Sequence, residues 1–281
     1  MSGVRFVKGH GTENDFVLLP DPERALDLTP RLAAAICDRR AGVGGDGVLR
    51  LVLATADPEG APMSDRARWF MDYRNADGSV AEMCGNGVRV VARYLVDAGL
   101  EQPGAFGVAT RDGVKAVRLG ETGDVTVDMG VASFPGPAGV KVSVPGRSWP
   151  ATSVDMGNPH AVCFVDDLDE AGDLIEVPHV DPAFTGGVNV EFVVARGDRH
   201  VAMRVHERGV GETRSCGTGA CAVMVAAARR DGIAPPSSYV VDVPGGSLVV
   251  TERADGRVEL TGPAVLVAEG ELQPQWLAVR R

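Results

Sequence analysis

Lysine is nearly missing from this chain of 281 residues: only Lys8, Lys115 and Lys141 occur. None adjoins a glycine-rich phosphate-binding loop, so a Schiff base on pyridoxal phosphate has no anchor. Positive charge is short overall. Lys plus Arg number 28 against 38 Asp plus Glu, a net charge of −10, and the field that sequence-independent nucleic-acid binding needs is absent. Long apolar runs are missing too. The longest, Ala220–Ala228, is nine residues, too short for a membrane-spanning helix. Met1–Phe6 lacks the apolar core of a secretory signal. Cysteine is sparse, at Cys37, Cys84, Cys163, Cys216 and Cys221, with no C-x-x-C. An odd number of cysteines without an export signal predicts free thiols in a reducing, cytoplasmic compartment. His160 and Cys163 have no second ligand pair, so no metal is expected. There is no Walker A sequence. Gly42, Gly44 and Gly47 match G-x-G-x-x-G, but a helix precedes and a strand follows, the reverse of a dinucleotide fingerprint.

What is present is an ordinary globular mix, 44% hydrophobic and 23% charged, long enough for one large domain or two smaller ones. Gly (36) and Pro (18) make about a fifth of the chain, which predicts many tight turns and much β structure. Strands are expected over Val4–Val7, Phe16–Leu19, Val48–Ala54 and Trp69–Tyr73. Thr29-Pro30 opens a helix as N-cap and first residue. A second helix is expected over Val88–Ala98, with Arg89 and Arg93 toward water. Val108–Leu119 and Val125–Met129 read as one hairpin. The Gly- and Pro-rich segment 131–149 reads as a linker between halves at 1–130 and 150–270, with 271–281 packing back on the first half. In the second half, strands are expected at Val154–Met156, Val162–Val165, Val193–Ala195, Val201–Val205, Tyr239–Val243, Leu248–Thr251 and Val258–Leu260, with a helix over Ala220–Arg230.

The halves echo each other at an offset of 132 residues, which carries Cys84-Gly85-Asn86-Gly87 onto Cys216-Gly217-Thr218-Gly219. Under it Asn75 falls on Glu207, Gly113 on Gly245 and Gly130 on Gly262. Strand, polar turn, C-G-x-G, helix and hairpin recur in order, which predicts a duplicated domain. Each cysteine precedes the first turn of a helix, where unpaired N–H groups and the helix dipole favour negative charge. That position lowers a thiol toward thiolate and lets a carboxylate approach the glycines. If the halves face one another, two thiols meet a bound carboxylate across one cleft. One removes an α-proton as base; the other delivers a proton to the opposite face as acid. Cys37, Cys163 and Cys221 read as packing residues, and His179 and His200 as surface.

Seven motifs now carry a resemblance. They are His10-Gly11-x-x-Asn14-Asp15-Phe16, Gly42-Val43-Gly44-x-Asp46-Gly47, Asn75-Ala76-Asp77-Gly78-Ser79, Cys84-Gly85-Asn86-Gly87-x-Arg89, Met156-Gly157-Asn158-Pro159-His160, Glu207-Arg208-Gly209-x-Gly211-Glu212-Thr213 and Cys216-Gly217-Thr218-Gly219-Ala220-Cys221. In this order they resemble the diaminopimelate epimerases over nearly the whole chain. The resemblance implies an α+β fold of two pseudo-symmetric domains, each a curled, mainly antiparallel sheet around a central helix, with the active site in the inter-domain cleft. It implies a cofactor-free, two-cysteine interconversion of LL- and meso-diaminopimelate on the lysine and peptidoglycan pathway, in a cytoplasmic homodimer. Cys84 would be proton donor and Cys216 acceptor in the LL to meso direction, assisted by His160 and Glu207. Asn14, Asn75, Asn158, Asn189 and Arg208 would bind the distal end of the substrate. Gly85, Asn86, Gly217 and Thr218 would hold the reacting carboxylate, with Glu207 at the α-amino group. Two positions depart from the family: Glu13 stands where it usually has Gly, and Gly47 where some members carry a substrate-contacting Gln.

Other classes share parts of this pattern. A proline or hydroxyproline racemase uses two thiols, but Arg208 and the asparagines suit a substrate with a second polar end. A phenazine-biosynthesis-type isomerase lacks the cysteine pair, and a non-catalytic binding module needs no acid–base thiols.

Overall fold

The computed structural model describes residues 3–280. The chain forms two compact units, one of residues up to Val127 together with those from Pro263 onward, the other Asp128–Gly262. In the first lie β1 (Val4–Gly11), β2 (Asn14–Pro20), α1 (Pro30–Cys37), β3 (Gly47–Leu53), β4 (Trp69–Asn75), α2 (Gly85–Asp97), β5 (Gly104–Thr110), β6 (Gly113–Leu119) and the start of β7 (Val125–Val131). The second holds β8 (Lys141–Val144), β9 (Arg147–Asp155), β10 (Pro159–Phe164), β11 (His179–Asp181), β12 (Asn189–Gly197), β13 (His200–Glu207), β14 (Gly211–Thr213), α3 (Gly217–Arg230), β15 (Ser237–Val243), β16 (Gly246–Glu252) and β17 (Arg257–Gly262). The chain then returns to the first unit with β18 (Val265–Leu272) and α4 (Pro274–Ala278).

The two units repeat one strand-pairing scheme. From β1 to β7 the pairings run antiparallel, parallel, antiparallel, parallel, antiparallel, antiparallel. Through β9, β10, β12, β13, β15, β16 and β17 they run in the same sequence. In the first unit β18 adds to β1, antiparallel. Each sheet wraps its central helix. Every residue of α2 from Gly85 to Leu95 is buried, and α3 is buried at Gly217 and from Gly219 to Ala228.

That enclosure overturns the expectation that Arg89 and Arg93 face water: they are 0% and 7% exposed. Their guanidiniums are satisfied internally. Arg89 bonds Asn86 Oδ1 and Thr12 Oγ1. Arg93 donates to the carbonyls of Glu121 and Gly123, tying down the β6–β7 turn. Hydropathy periodicity cannot register an arginine buried by partners that folding brings to it.

Three further expectations change. The segment 131–149 is not a linker. It contains β8, and Val140 and Val142 enter a core with Cys163, Val190 and Phe192. The second unit therefore begins at Asp128 and ends at Gly262, and residues 263–272 belong to the first unit through β18. Of the returning segment, Arg281 lies outside the described residues. Val108–Leu119 is two strands, not one, because Thr110–Gly113 turns between β5 and β6. The central helices start at Gly85 and Gly217, three residues before the first apolar position of each expected span, since glycine hides the start from periodicity. α1 is as expected: Thr29 Oγ1 accepts from Leu32 N, and Leu32 and Ile36 pack on Val17, Leu19 and Val48.

Candidate active site

The first half-site is built where α2 begins. Cys84, half-buried, is the N-cap in an extended conformation, and Gly87 N–H points at its Sγ, 3.4 Å away. Asn14, at the start of β2, sits beside it: Cys84 Sγ lies 3.7 Å from Asn14 Oδ1, which also accepts from Asn86 Nδ2 at 3.1 Å. The turn before Asn14 places Thr12 and Glu13 at φ 48° and 61°. Glu13 thus occupies a left-handed position, which accounts for glycine elsewhere in the family. At Gly47 a Cβ would come within 2.6 Å of the Arg74 carbonyl and the Tyr73 ring, so this backbone has no room for a glutamine side chain. Asn75 closes β4, its Nδ2 donating to Ser79 Oγ at 2.9 Å.

The second half-site repeats the motif at α3. Cys216, 6% exposed, is the N-cap, with Gly219 N–H 3.4 Å from its Sγ and Thr218 Oγ1 at 3.5 Å. The helix N-terminus predicts a lowered thiol; the reverse holds. Burial pushes the Cys216 thiol well up, the charges of Glu207 and Glu191 push it further, and the Thr218 and Gly219 hydrogen bonds oppose them without prevailing. A Cβ on Gly219 would stand 2.9 Å from Glu191 Oε1, so only glycine lets α3 sit this close to that carboxylate. His160 is fully buried, its Nδ1 2.6 Å from Glu191 Oε1 and its Nε2 3.0 Å from Asn158 Oδ1. Glu191 is likewise fully buried, and its Oε2 has no hydrogen-bond partner among the described residues. Glu191 belongs to none of the seven sequence motifs. The available signal was the Asn189-x-Glu191 spacing on a strand, which puts both side chains on one face.

Glu207, at the end of β13, accepts from Thr213 Oγ1. Arg208 follows it. Its backbone N–H donates to Asn189 Oδ1 at 2.9 Å, and its Nη1 to the Gly186 carbonyl at 2.9 Å. Asn189 Nδ2 also donates to the Pro159 carbonyl at 3.3 Å, so this amide ties β10, β12 and the Arg208 turn together. Gly186 and Gly187, both at positive φ, bend the chain against Arg208; a Cβ on Gly187 would meet Arg208 Cδ at 3.0 Å. Among the described residues, Cys84, Asn14 and Asn86 gather in one unit, and Cys216, Thr218, His160, Asn158, Asn189, Glu207 and Arg208 in the other. No group of three or more metal-ligating side chains occurs among the described residues. Among the described residues no helix is long and apolar enough to cross a membrane.

Two units, each a sheet wrapped around one helix, define a fold class. A PhzF-family phenazine biosynthesis protein from Bacillus anthracis shares it with a TM-score of 0.71 at 15% identity, over 97% of this chain and 100% of that one. A hydroxyproline epimerase from Agrobacterium vitis shares it with a TM-score of 0.68 at 16% identity, over 98% and 95%. At such identities the likeness is one of fold. Within that class, the diaminopimelate epimerase family model matches residues 6–135 and 152–267, and this chain belongs to the diaminopimelate epimerase family. The diaminopimelate epimerase of Streptomyces coelicolor is 65% identical over 281 residues, covering 98% of this chain and 97% of that protein. That of Mycolicibacterium smegmatis is 51% identical over 291 residues, covering 96% and 97%.

Proposed function

We propose that this chain is an amino-acid isomerase that interconverts LL- and meso-2,6-diaminopimelate, with Cys84 and Cys216 as its two proton carriers. One observation carries the reading: a cysteine caps the enclosed helix of both units, its sulfur 3.4 Å from the N–H three residues on in each. Family membership supplies the substrate. In the LL to meso direction Cys216 takes the α-proton and Cys84 supplies one to the opposite face. Charge builds on the substrate carboxylate as the α-carbon loses its proton. The first turns of α2, at Gly85 and Asn86, and of α3, at Gly217 and Thr218, supply backbone N–H groups to that charge.

Cys216 rests as a thiol, because it is buried beside two carboxylates. A bound α-ammonium held by Glu207 brings a positive charge to that site and eases ionisation. Arg208 pairs with the distal carboxylate, and Asn14, Asn75, Asn158 and Asn189 complete recognition of the distal end. His160 holds Asn158 by Nε2 while Glu191 holds Nδ1, so it assists by fixing the binding amide. The reaction uses no cofactor. It serves lysine and peptidoglycan precursor synthesis in the cytoplasm, with the chain as a homodimer.

The test is chiral chromatography of LL-diaminopimelate after incubation with the protein. Meso isomer should accumulate to equilibrium while L-proline and L-lysine stay unchanged. Absence of meso product, or racemised proline, would overturn the reading.

A further inference from the structure

Four side chains of the first unit form a hydrogen-bonded chain with opposite charges at its ends. Arg89 Nη1 donates to Asn86 Oδ1 at 2.9 Å. Asn86 Nδ2 donates to Asn14 Oδ1 at 3.1 Å. Asn14 Nδ2 donates to Asp46 Oδ2 at 2.8 Å. Asp46 is itself held, Oδ2 by Asp15 N at 3.2 Å and Oδ1 by Arg39 Nη2 at 2.7 Å. A guanidinium only donates and a carboxylate only accepts. Neither amide between them can therefore turn over: a reversed Asn14 would set its oxygen against the Asp46 carboxylate and its NH2 against that of Asn86. The Asn14 oxygen is left facing Cys84 Sγ at 3.7 Å. An oxygen there accepts an S–H and repels a thiolate. An NH2 would do the opposite.

We propose that Asp46 is a positioning residue for Cys84: by locking the Asn14 amide it presents an acceptor to the sulfur and keeps the proton there. Cys84 then waits as the thiol that delivers the proton, an inference that rests on its reading as a proton carrier. The lock works against Gly87 N–H and the α2 N-terminus, which favour thiolate. The charged groups around it are Arg89 from α2, Lys8 and Asp15 from β1 and β2, and Arg39 and Asp46 from the segment between α1 and β3.

The test is alkylation of Cys84 by iodoacetamide across pH in substrate-free protein, read by peptide mass spectrometry. In Asp46→Asn the Asn14 amide loses the carboxylate that opposes a turned oxygen and is held only from the Asn86 side. The midpoint should fall by about one pH unit, so alkylation at neutral pH rises about tenfold while the high-pH plateau stays the same. A plateau that rises with an unmoved midpoint would mean a loosened loop and overturn the proposal. Asp15→Asn removes an equal charge from the same ion cluster without touching the Asn14 amide; a shift as large as that of Asp46→Asn would reduce the effect to charge alone and overturn it too. Asn14→Leu keeps the Asp46 charge and deletes the acceptor, so its midpoint should also fall, and an unmoved one contradicts the lock. A shifted midpoint in a protein that does not turn over diaminopimelate would remove the functional reading and leave the lock standing.

Discussion

Raising the pH past the thiol range should unfold this protein steeply. Cys37, Cys163 and Cys216 are 4%, 0% and 6% exposed. Burial pushes Cys37 up to about 12 and raises Cys163 and Cys216 as well. In the unfolded chain a cysteine ionises near about pH 8.5. Above that pH the unfolded state releases three protons that the folded state keeps. The stability these thiols contribute is therefore whole below the unfolded value and is lost as pH rises toward the folded ones. Each thiol removes about 1.4 kcal/mol per pH unit, so three remove about 4 kcal/mol per unit above roughly pH 9.5. Against a total of about 5–15 kcal/mol, two or three such units exhaust the fold. Tyr239, raised by burial and by its hydrogen bond to Asp231, adds in the same direction at higher pH. Urea unfolding in reductant, stepped from neutral pH upward, gives the slope. The double variant Cys37→Ala, Cys163→Ala removes two of these three raised thiols, and the slope should drop by about 2.8 kcal/mol per unit. A parent slope below that value, or one unchanged in the double variant, would refute the reasoning.

Other perturbations bear on binding and on the core. Arg208→Ala removes a charge-assisted contact worth about 1.5–3 kcal/mol, so the KM for diaminopimelate should rise about 10- to 150-fold in steady-state assays. Gly187→Ala sets a methyl 3.0 Å from Arg208 Cδ at a backbone φ of +83°. It should raise KM about tenfold and lower stability by about 1–2 kcal/mol, measured by urea titration. Asp72 is fully buried and bonded to Arg50, Arg74 and Arg111. Burial opposes its ionisation, but the three guanidiniums outweigh it and hold the carboxyl low. Its contribution is therefore present above the ordinary carboxyl range and is lost as pH falls through the lowered value. Asp72→Ala removes the carboxylate these cations share, leaving Arg111 with Glu59 and Arg50 with Asp21 and the Leu26 carbonyl, and should cost about 3–5 kcal/mol.

Much of this was legible beforehand because the chain repeats itself. The 132-residue offset that joins Cys84 to Cys216 also carries β4 onto β13, β5 onto β15, β6 onto β16 and β7 onto β17. Glycines at the helix starts and turns marked the half-sites, since only glycine admits the close approach seen at Gly219. What escaped is buried and polar. Arg89, Arg93 and Glu191 carry charge that pattern reading assigns to the surface, yet each is enclosed by partners distant in sequence. Asp46 was visible inside a motif, but its hold on Asn14, 32 residues away, exists only once β2 and β3 lie side by side. The state of Cys216 departs from the local expectation for the same reason: the helix start is local, whereas the burial, Glu207 and Glu191 that raise it come from the sheet.

The claim of two proton carriers on opposite faces is tested most directly by the first turnovers of LL-diaminopimelate in heavy water. The donor thiol exchanges its proton with solvent before substrate binds, whereas the acceptor takes the substrate's own hydrogen. The earliest meso product should carry one deuterium at the inverted carbon, and the LL-diaminopimelate left behind none. Deuterium washing into unreacted LL substrate, or early product that retains the original hydrogen, would mean that a single group serves both faces and would contradict the account.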